Sequence, residues 1–209
     1  GTGLYISAVL KNYIFLEEKE DEQLTNYLES RTNEQLFEEL KQLDPKSAQA
    51  LHVNNRIRLI RALTIAKSQD VTKSDIVNKQ DETRLYDAHI ISLTMDRDLL
   101  YERINERVLL MDKLGLQKEL EGIVVKYENP FELRGMFGIG YKEWRPYFED
   151  GVKKEVILKE IQKRSRNYAK RQFTWFRNQF DATWFDVTEE NFYENVKASV
   201  SSWLEEKED

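Results

Sequence analysis

Apolar residues recur three and four positions apart through much of the first third of the chain. This spacing is that of one helix face, and it predicts amphipathic helices over residues 21–30, 33–43 and 54–65. Asp44 and Pro45 interrupt the series, and Pro45 suits the first turn of a further helix. Asn54 or Asn55 can cap the helix that follows. Because no strand pattern occurs before Gln69, this part of the chain predicts a small helical domain.

The pattern changes after a polar stretch, residues 70–87, which predicts a loop. The apolar run Ala88 to Leu93 is typical of a buried parallel strand, and Asp96 then starts a long helix that Gly115 ends. A strand that leads into a helix is typical of an α/β layer. One strand cannot form a sheet, so we expect its partners in a segment that precedes this sequence. The remainder predicts helices over 116–127, 138–149, 152–180 and 189–206.

The chain starts with Gly1-Thr2-Gly3 and continues into the apolar run Leu4 to Leu10. Glycines in front of such a run predict a strand-to-helix turn, whose exposed backbone N–H groups can meet an anion. A turn of this kind needs a strand before it, and the sequence has none there. We therefore expect the chain to begin inside a larger protein.

Composition limits the class of protein. Charged residues make up 33% and hydrophobic residues 40% of the chain, which is typical of a soluble, helix-rich protein. The sequence has no cysteine, so disulfides and thiolate metal sites are excluded. No apolar run approaches the roughly 20 residues that span a bilayer, and no secretory signal pattern is present. We expect a cytoplasmic protein without a membrane partner.

The net charge of −6 hides an uneven distribution. Residues 153–177 hold nine basic and two acidic side chains, a local charge of +7. Within them, the sequence from Arg164 to Arg177 interleaves cations with aromatic residues, so that cations can contact phosphates while rings stack on unpaired bases. The alternative is a solvated amphipathic helix whose rings belong to the core. The spacing leaves both open, and Phe173 and Phe176 are expected to pack inward in either case.

Arg103 and Arg107 form a second candidate site. They lie four residues apart, on one face of the helix predicted after the strand. Ligands of open α/β sheets bind at that end of a strand, and two guanidinium groups suit a diphosphate. The alternative is that both arginines form surface ion pairs with Glu102 and Glu106. The pattern alone favours this alternative.

Other patterns predict no chemistry of their own. Gly138-Ile139-Gly140 is too short for a dinucleotide fingerprint, so its glycines are expected to allow close approach of a ligand or a helix. His52 and His89 lack a nearby carboxylate pattern and are expected to be structural. The sequence shows no metal-ligand set, no Ser/His/Asp arrangement and no phosphate loop of the G-x-x-x-x-G-K-[ST] type.

Five motifs follow one another in collinear order over nearly the whole chain. They are Gly1 to Tyr5, Asp44 to Leu63, Arg97 to Met111, Gly138 to Glu143 and Tyr168 to Arg177. Together they resemble the tRNA dimethylallyltransferases, also called tRNA isopentenyltransferases, and the last motif is the most specific. The resemblance implies a P-loop NTPase-like α/β core, incomplete and mostly helical in this chain, with an inserted helical domain. Residues 1–18 and 88–209 would form the C-terminal part of the catalytic core, and 19–87 the insertion that binds the anticodon stem-loop.

The resemblance also implies an activity. Members of the family transfer a dimethylallyl group from dimethylallyl diphosphate to the exocyclic N6 amine of the adenosine 3′ of the anticodon, and Mg²⁺ assists at the diphosphate. Thr2 and Arg107 match catalytic positions, and Arg103 is a further candidate for the diphosphate. Positions matched to tRNA contacts are Asn55, Arg56, Arg58, Gly138, Gly140, Tyr141, Lys142, Ser165, Arg166, Lys170, Arg171 and Gln172. We expect a monomer.

The sequence departs from the family pattern because it lacks the phosphate loop and the segment with the general base. We therefore expect this chain alone to be inactive as a transferase. Two alternatives remain: a non-catalytic helical RNA-binding module that uses the helix from Arg164 to Arg177, and a purely structural helical protein.

Overall fold

A computed structural model describes residues 3–11, 21–68, 72, 74–76 and 83–206 of the chain. By their contacts the residues divide into two compact units. We name Leu4–Asp87 the helical unit, and Gly1–Gly3 with Ala88–Asp209 the strand unit. The boundary that we set between residues 18 and 19 lies outside the described residues. Leu4–Leu10, which we assigned to the catalytic core, groups with the helical unit, and the roles of the two domains stay predictions.

Five helices of the helical unit are described over their whole length. They are α1 (Leu4–Leu10), α2 (Glu22–Glu29), α3 (Asn33–Leu43), α4 (Pro45–Ala50) and α5 (Arg56–Ser68). The Thr32 hydroxyl accepts the N–H of Gln35, whose side chain accepts the N–H of Thr32, and this capping box starts α3. Pro45 stands in the first turn of α4, as predicted.

The core of the helical unit is a cluster of leucines and alanines: Leu28, Leu36, Leu40, Ala48, Leu59, Ala62 and Leu63. Two apolar residues of the predicted helices 33–43 and 54–65 lie outside it. Leu43 is 42% exposed and Ile57 is 83% exposed. Both lie in a terminal turn of their helix, where the helix face extends past the core.

Asp44 connects two segments of the helical unit. The carboxylate is 1% exposed, and it accepts the N–H of Ser47 at 3.1 Å and the N–H of Ser74 at 3.0 Å. Burial favours the neutral acid, but the hydrogen bonds from Ser47 and Ser74 outweigh it and hold the pKa of Asp44 below its usual range. Asp44 therefore caps α4 and ties it to the segment around Ser74.

We expect Asp44→Ala to lower the free energy of unfolding by about 2 kcal/mol, because two N–H groups lose their acceptor. Asp44→Asn should cost less, since its amide oxygen can still accept one of the bonds. Because the folded pKa is lowered, the stabilisation is present above the unfolded pKa of about 4 and is lost as the pH falls through the folded value. Urea unfolding at neutral and acid pH measures both effects. An alanine variant as stable as the wild type at neutral pH would contradict this role.

The strand unit contains a parallel sheet and several helices. The strands are β1 (Ile91–Thr94) and β2 (Thr183–Asp186), and the helices are α6 (Arg97–Lys113), α7 (Leu116–Lys126), α8 (Arg145–Asp150), α9 (Lys154–Gln179) and α10 (Phe192–Glu205). Asp96 caps α6, as predicted, by accepting the N–H groups of Asp98 and Leu99. Gly115 follows α6 with a φ of 108°, which suits a glycine. The core includes Val108, Leu116, Leu120, Phe131, Met136, Trp144, Ile157, Leu158 and Ile161.

β1 has a partner that the sequence did not reveal. It pairs in parallel with β2, with Ile91 opposite Thr183 and Thr94 opposite Asp186. The expectation that every partner strand precedes this sequence was therefore wrong. The four residues of β2 follow a long helix and are too few to show the period of a strand.

The helix predicted over 138–149 is also wrong in its first half. Residues 138–141 form a loop, a 3-10 turn covers Lys142–Trp144, and α8 starts only at Arg145. Gly140 has a φ of 103°, which lies outside the helical range. The described chain is thus mostly helical with one small parallel sheet. None of its described helices is long and apolar enough to cross a membrane.

Candidate active site and nucleic-acid interface

A cavity of about 830 Å³ opens at the carboxyl ends of the two strands. Thr94 ends β1 and lines the cavity, and so do Met95 and Val187, which follow β1 and β2. The Val187 N–H donates to the Thr94 carbonyl at 3.0 Å, which holds the strand ends side by side. Ligands of parallel α/β sheets bind at this end of the strands, so the topology marks the cavity as a candidate site.

Most of the cavity lining is apolar. α6 and α9 each present residues three and four positions apart, which is the spacing of one helix face. The volume lies within the range of about 300–1,000 Å³ that is typical of small-molecule sites. Apolar residues that line the cavity include Leu93, Leu100, Ile104, Met111, Ile139 and Phe173.

Arg107 is the one charged side chain among the described residues that line the cavity. Arg103, one turn earlier on α6, is exposed and does not line it. In the described part of the chain neither arginine forms the ion pair with Glu102 or Glu106 that we considered as the alternative. A single guanidinium in an apolar lining suits a ligand that carries both an anionic and an apolar part.

α9 divides the predicted tRNA contacts between two of its faces. Ser165 and Gln172 line the cavity, whereas Lys170 and Arg171 border a separate hollow of about 500 Å³ on the other side of the helix. Residues adjacent in sequence diverge in this way because a helix has 3.6 residues per turn. One stretch of sequence therefore serves both the cavity and an outer surface.

Arg166 has partners inside the strand unit. Its Nη1 donates to Oδ1 of Asn105 at 2.5 Å, and its guanidinium lies 6.0 Å from the ring centre of Tyr101. Gln162 donates to the backbone carbonyl of Asn105 at 3.1 Å. These contacts join α9 to α6, the two helices that line the cavity. The tRNA contact that we expected of Arg166 stays a prediction.

A third hollow, of about 430 Å³, brings Arg97, which the sequence analysis did not single out as a contact, next to cations of the basic motif on α9. Arg97, Lys170 and Arg177 line it, with no acidic side chain among the described lining residues. The guanidinium of Arg97 lies 5.1 Å from the ring centre of Tyr101, and that of Arg177 lies 5.3 Å from that of Trp184. The spacing of Arg97 and Tyr101, four residues apart on a helix, could have indicated the first pair. Trp184 stands on β2, which was not predicted.

The glycine loop, residues 138–141, also reaches the cavity. Ile139 lines it, and a Cβ added to Gly140 would lie 3.7 Å from Cε of Met111. The Gly140 N–H donates to Oε2 of Glu143 at 2.7 Å. Gly140 is buried, so it lies on the inner side of the loop and does not face solvent.

Three other residues that we expected to contact tRNA flank Gly140. Gly138 and Lys142 are exposed, as a contact with RNA requires. Tyr141 is half-buried, and its hydroxyl donates to Glu119 of α7 at 2.6 Å. This hydrogen bond, together with burial, raises the pKa of Tyr141 above its ordinary value, so the hydroxyl keeps its proton at neutral pH.

Thr2, the other predicted catalytic residue, lies outside the described residues. Gly3 is described, and its backbone packs against the indole of Trp175 on α9. A Cβ built on Gly3 would lie 1.8 Å from a carbon of that ring, far closer than two carbon atoms can approach. Trp175 therefore requires glycine at this position.

We expect Gly3→Ala to destabilise the protein by about 1–3 kcal/mol, because the indole of Trp175 must move to admit the methyl group. Trp175→Leu should reduce this cost by giving the methyl group room. Unfolding of the two single variants and the double variant measures the coupling between the positions. Purely additive losses would contradict the close contact.

The remaining predicted tRNA contacts belong to the helical unit. Asn55 precedes α5, Arg56 begins it, and Arg58 is exposed in its first turn. The guanidinium of Arg56 is engaged in the fold, where it donates to the carbonyls of Leu28, Glu29 and Arg31 and to Oδ1 of Asn33. Arg56 therefore holds the end of α2 against the start of α3.

We expect Arg56→Ala to lower the free energy of unfolding by about 3 kcal/mol, because several carbonyls at the end of α2 lose their donor. Arg58→Ala removes the same charge from the same helix at an exposed position, and should change stability by less than about 0.5 kcal/mol. Chemical unfolding of both variants measures the difference. Equal losses would show that Arg56 has no special structural role.

Neither histidine contributes to a metal site in the described chain. The N–H of Asn54 donates to Nδ1 of His52, and Nε2 of His89 lies 2.8 Å from Oγ of Ser199 while its ring stacks on Trp203. Both thus have internal partners, as expected of structural residues. Among the described residues no cluster of three His, Asp or Glu side chains could hold a metal ion.

The family of this chain follows from its similarity to known protein families. Residues 1–179 match the family described as IPP transferase. The chain belongs to the IPP transferase family. A "tRNA dimethylallyltransferase" of Bacillus anthracis is 44% identical over 193 residues, which are 90% of this chain and 61% of that relative. The chain thus spans about three fifths of that relative's length.

Solved structures of IPP transferases share the fold. The full-length tRNA isopentenylpyrophosphate transferase of Bacillus halodurans aligns with a TM-score of 0.63 at 34% identity, over 100% of this chain and 66% of its own. A eukaryotic dimethylallyltransferase described as acting on tRNA aligns with a TM-score of 0.81 over 98% of this chain and 56% of its own. Because the eukaryotic protein is only 23% identical to this chain, its structure supports the fold alone.

Proposed function

We propose that the protein modifies tRNA by transferring a dimethylallyl group from dimethylallyl diphosphate to the N6 amine of the adenosine 3′ of the anticodon. The observation that carries the proposal is the apolar cavity with Arg107 in its lining. The five-carbon group is apolar and fits such walls, while the diphosphate requires a cation. Membership of the IPP transferase family and the resemblance to relatives named for this reaction support the same substrate.

The reaction forms one bond and breaks another. The N6 nitrogen attacks the allylic carbon, the carbon–oxygen bond to the diphosphate breaks, and the amine loses a proton. Charge grows on the departing diphosphate, and the Arg107 guanidinium is suited to stabilise it at the edge of a mostly apolar cavity. The described lining contains no carboxylate to accept the proton, so we assign the general base to none of these residues.

Magnesium would assist at the diphosphate by neutralising charge. Such an ion prefers carboxylate and other oxygen ligands. The described lining offers hydroxyl and amide oxygens, including those of Ser165 and Gln172, but no carboxylate. These residues do not form a magnesium site by themselves.

Three further expectations stay predictions from the sequence. They are a P-loop NTPase-like core, a cytoplasmic location and a monomeric state.

The proposed RNA surface combines α9 with the glycine loop. Lys170 and Arg171 lie on the outer face of α9, and Gly138 and Lys142 are exposed in or beside the loop. Cations of this kind contact backbone phosphates. The target adenine must leave its stack to reach the cavity, which costs less in a loop than in a duplex. In the helical unit, we propose Asn55 and Arg58 as further contacts.

A second candidate is RNA binding without catalysis. The cations on the outer face of α9 favour it independently of the cavity, because they need no small-molecule substrate. Binding of dimethylallyl diphosphate separates the two candidates. Calorimetric titration of the wild type and of Arg107→Ala with dimethylallyl diphosphate should give a dissociation constant that is about tenfold weaker in the variant. Equal affinities would remove the support that the cavity gives to the enzyme.

A further inference from the structure

Glu143 is a buried carboxylate that the proposed reaction does not use. Its side chain is 0% exposed, and it lies in the 3-10 turn Lys142–Trp144, directly after the glycine loop. Removing a carboxylate from water is costly unless charged or hydrogen-bonding partners compensate. The partners of Glu143 therefore indicate what it does.

One oxygen of Glu143 holds the glycine loop. Oε2 accepts the N–H of Gly140 at 2.7 Å. Gly140 has a φ of 103°, in the left-handed region that favours glycine, so the loop combines an unusual backbone conformation with a charge-assisted hydrogen bond. The preceding Ile139 lines the cavity, and the exposed Lys142 follows in the turn. Glu143 thus fixes the segment that carries the proposed loop contacts.

The other oxygen of Glu143 faces α9. Oε1 lies 3.3 Å from Nε of Arg164, an ion pair in which this oxygen accepts no hydrogen bond. The same Nε donates to Oε1 of Glu160 at 2.8 Å, nearer the surface. Arg164 directly precedes Ser165, which lines the cavity. The carboxylate of Glu143 therefore stands between the loop and the helix that together carry the proposed RNA contacts of the strand unit.

We propose that Glu143 is a positioning residue for RNA, which holds the glycine loop against α9 so that both contact one anticodon stem-loop. The inference rests on the proposed function, because it concerns the same RNA surface. Glu143 acts through Gly140 and Arg164, without contacting RNA or diphosphate itself. Without the Glu143 carboxylate, the glycine loop and α9 are no longer fixed relative to each other. RNA binding must then order them, and the entropy lost in doing so lowers the RNA affinity.

Two substitutions separate the roles of the two oxygens. In Glu143→Gln the amide oxygen can still accept the Gly140 N–H, but the amide nitrogen then faces the Arg164 guanidinium, donor against donor. Glu143→Ala removes both contacts. Glu160→Gln is the matched control, because it alters the exposed partner of the same arginine without touching the loop.

We expect the dissociation constant of an anticodon stem-loop, measured by fluorescence anisotropy, to rise about tenfold in Glu143→Ala and about threefold in Glu143→Gln. Glu160→Gln should stay within about twofold of the wild type. In the full-length gene product, the KM for the stem-loop should rise in parallel, while kcat at saturating RNA is retained. A loss of folded protein would not produce this split, and thermal unfolding of each variant reports folding directly.

Wild-type RNA affinity in a folded Glu143→Gln variant would overturn the proposal, and so would an equal loss in Glu160→Gln. A fall in kcat with an unchanged KM would overturn it as well. If the full-length wild type binds the stem-loop but transfers no dimethylallyl group, the proposed enzyme activity fails. The series of dissociation constants still tests the positioning role in that case, so the two failures are distinguishable.

Discussion

Arg107→Ala is expected to lower kcat for dimethylallyl transfer about a hundredfold, while the dissociation constant of the stem-loop changes less than about twofold. The reason is that Arg107 is the one charged side chain among the described residues that line the cavity. Removing it leaves the departing diphosphate without that cation. Steady-state transfer assays with the full-length gene product, together with RNA titrations, measure both quantities.

Arg103→Ala is the matched control for this prediction. It removes the same side chain one turn away on α6, at a position that is exposed like that of Arg107 but does not line the cavity. It should retain turnover within about threefold, because its charge lies outside the cavity lining and solvent screens it from a ligand inside. Arg107→Lys should recover part of the activity, since it restores charge without the two-pronged geometry. An Arg107→Ala variant with wild-type turnover would remove its role at the diphosphate.

Replacing Lys170 and Arg171 together by alanine is expected to weaken stem-loop binding at least about tenfold at physiological salt. It should also flatten the dependence of log K on log salt by about 1.4–1.8, because two phosphate contacts and their released counterions are lost. Both side chains border the hollow on the outer face of α9, and Lys170 also borders the hollow lined by Arg97 and Arg177. Titrations over a range of salt concentrations measure affinity and slope together.

The control for this pair is Lys153→Ala with Lys159→Ala. Both lysines are exposed in the first part of the same basic segment, and neither borders one of the hollows on α9. Their loss removes the same charge and should leave the slope nearly unchanged. If both double variants weaken binding equally, the RNA responds to overall charge and not to the outer face of α9.

The sequence predicted most of the helices because their stabilising contacts are local. α3, α6 and α9 start and end within two residues of the predicted bounds, since apolar spacing and caps such as Asp96 lie inside each segment. β2 escaped prediction for the opposite reason. Its four residues become a strand by pairing with β1, a contact between distant parts of the chain that no local pattern records.

The site was predictable only in part for the same reason. Helical spacing grouped Arg103 with Arg107, but the structure brings only Arg107 to the cavity, because the orientation of α6 depends on its packing against α9. The basic motif on α9 was found as one unit, although the turn of the helix divides it between two surfaces. The link from Glu143 to Arg164 joins residues far apart in sequence, so no motif could have indicated it.

A transfer assay with the full-length gene product, dimethylallyl diphosphate, magnesium and an anticodon stem-loop tests the proposed activity itself. Mass spectrometry of the digested RNA identifies the modified nucleoside and its position. We expect one dimethylallyl group on N6 of the adenosine 3′ of the anticodon, with one diphosphate released for each group transferred. Tight stem-loop binding without modified adenosine would contradict it and would favour an RNA-binding protein without catalysis.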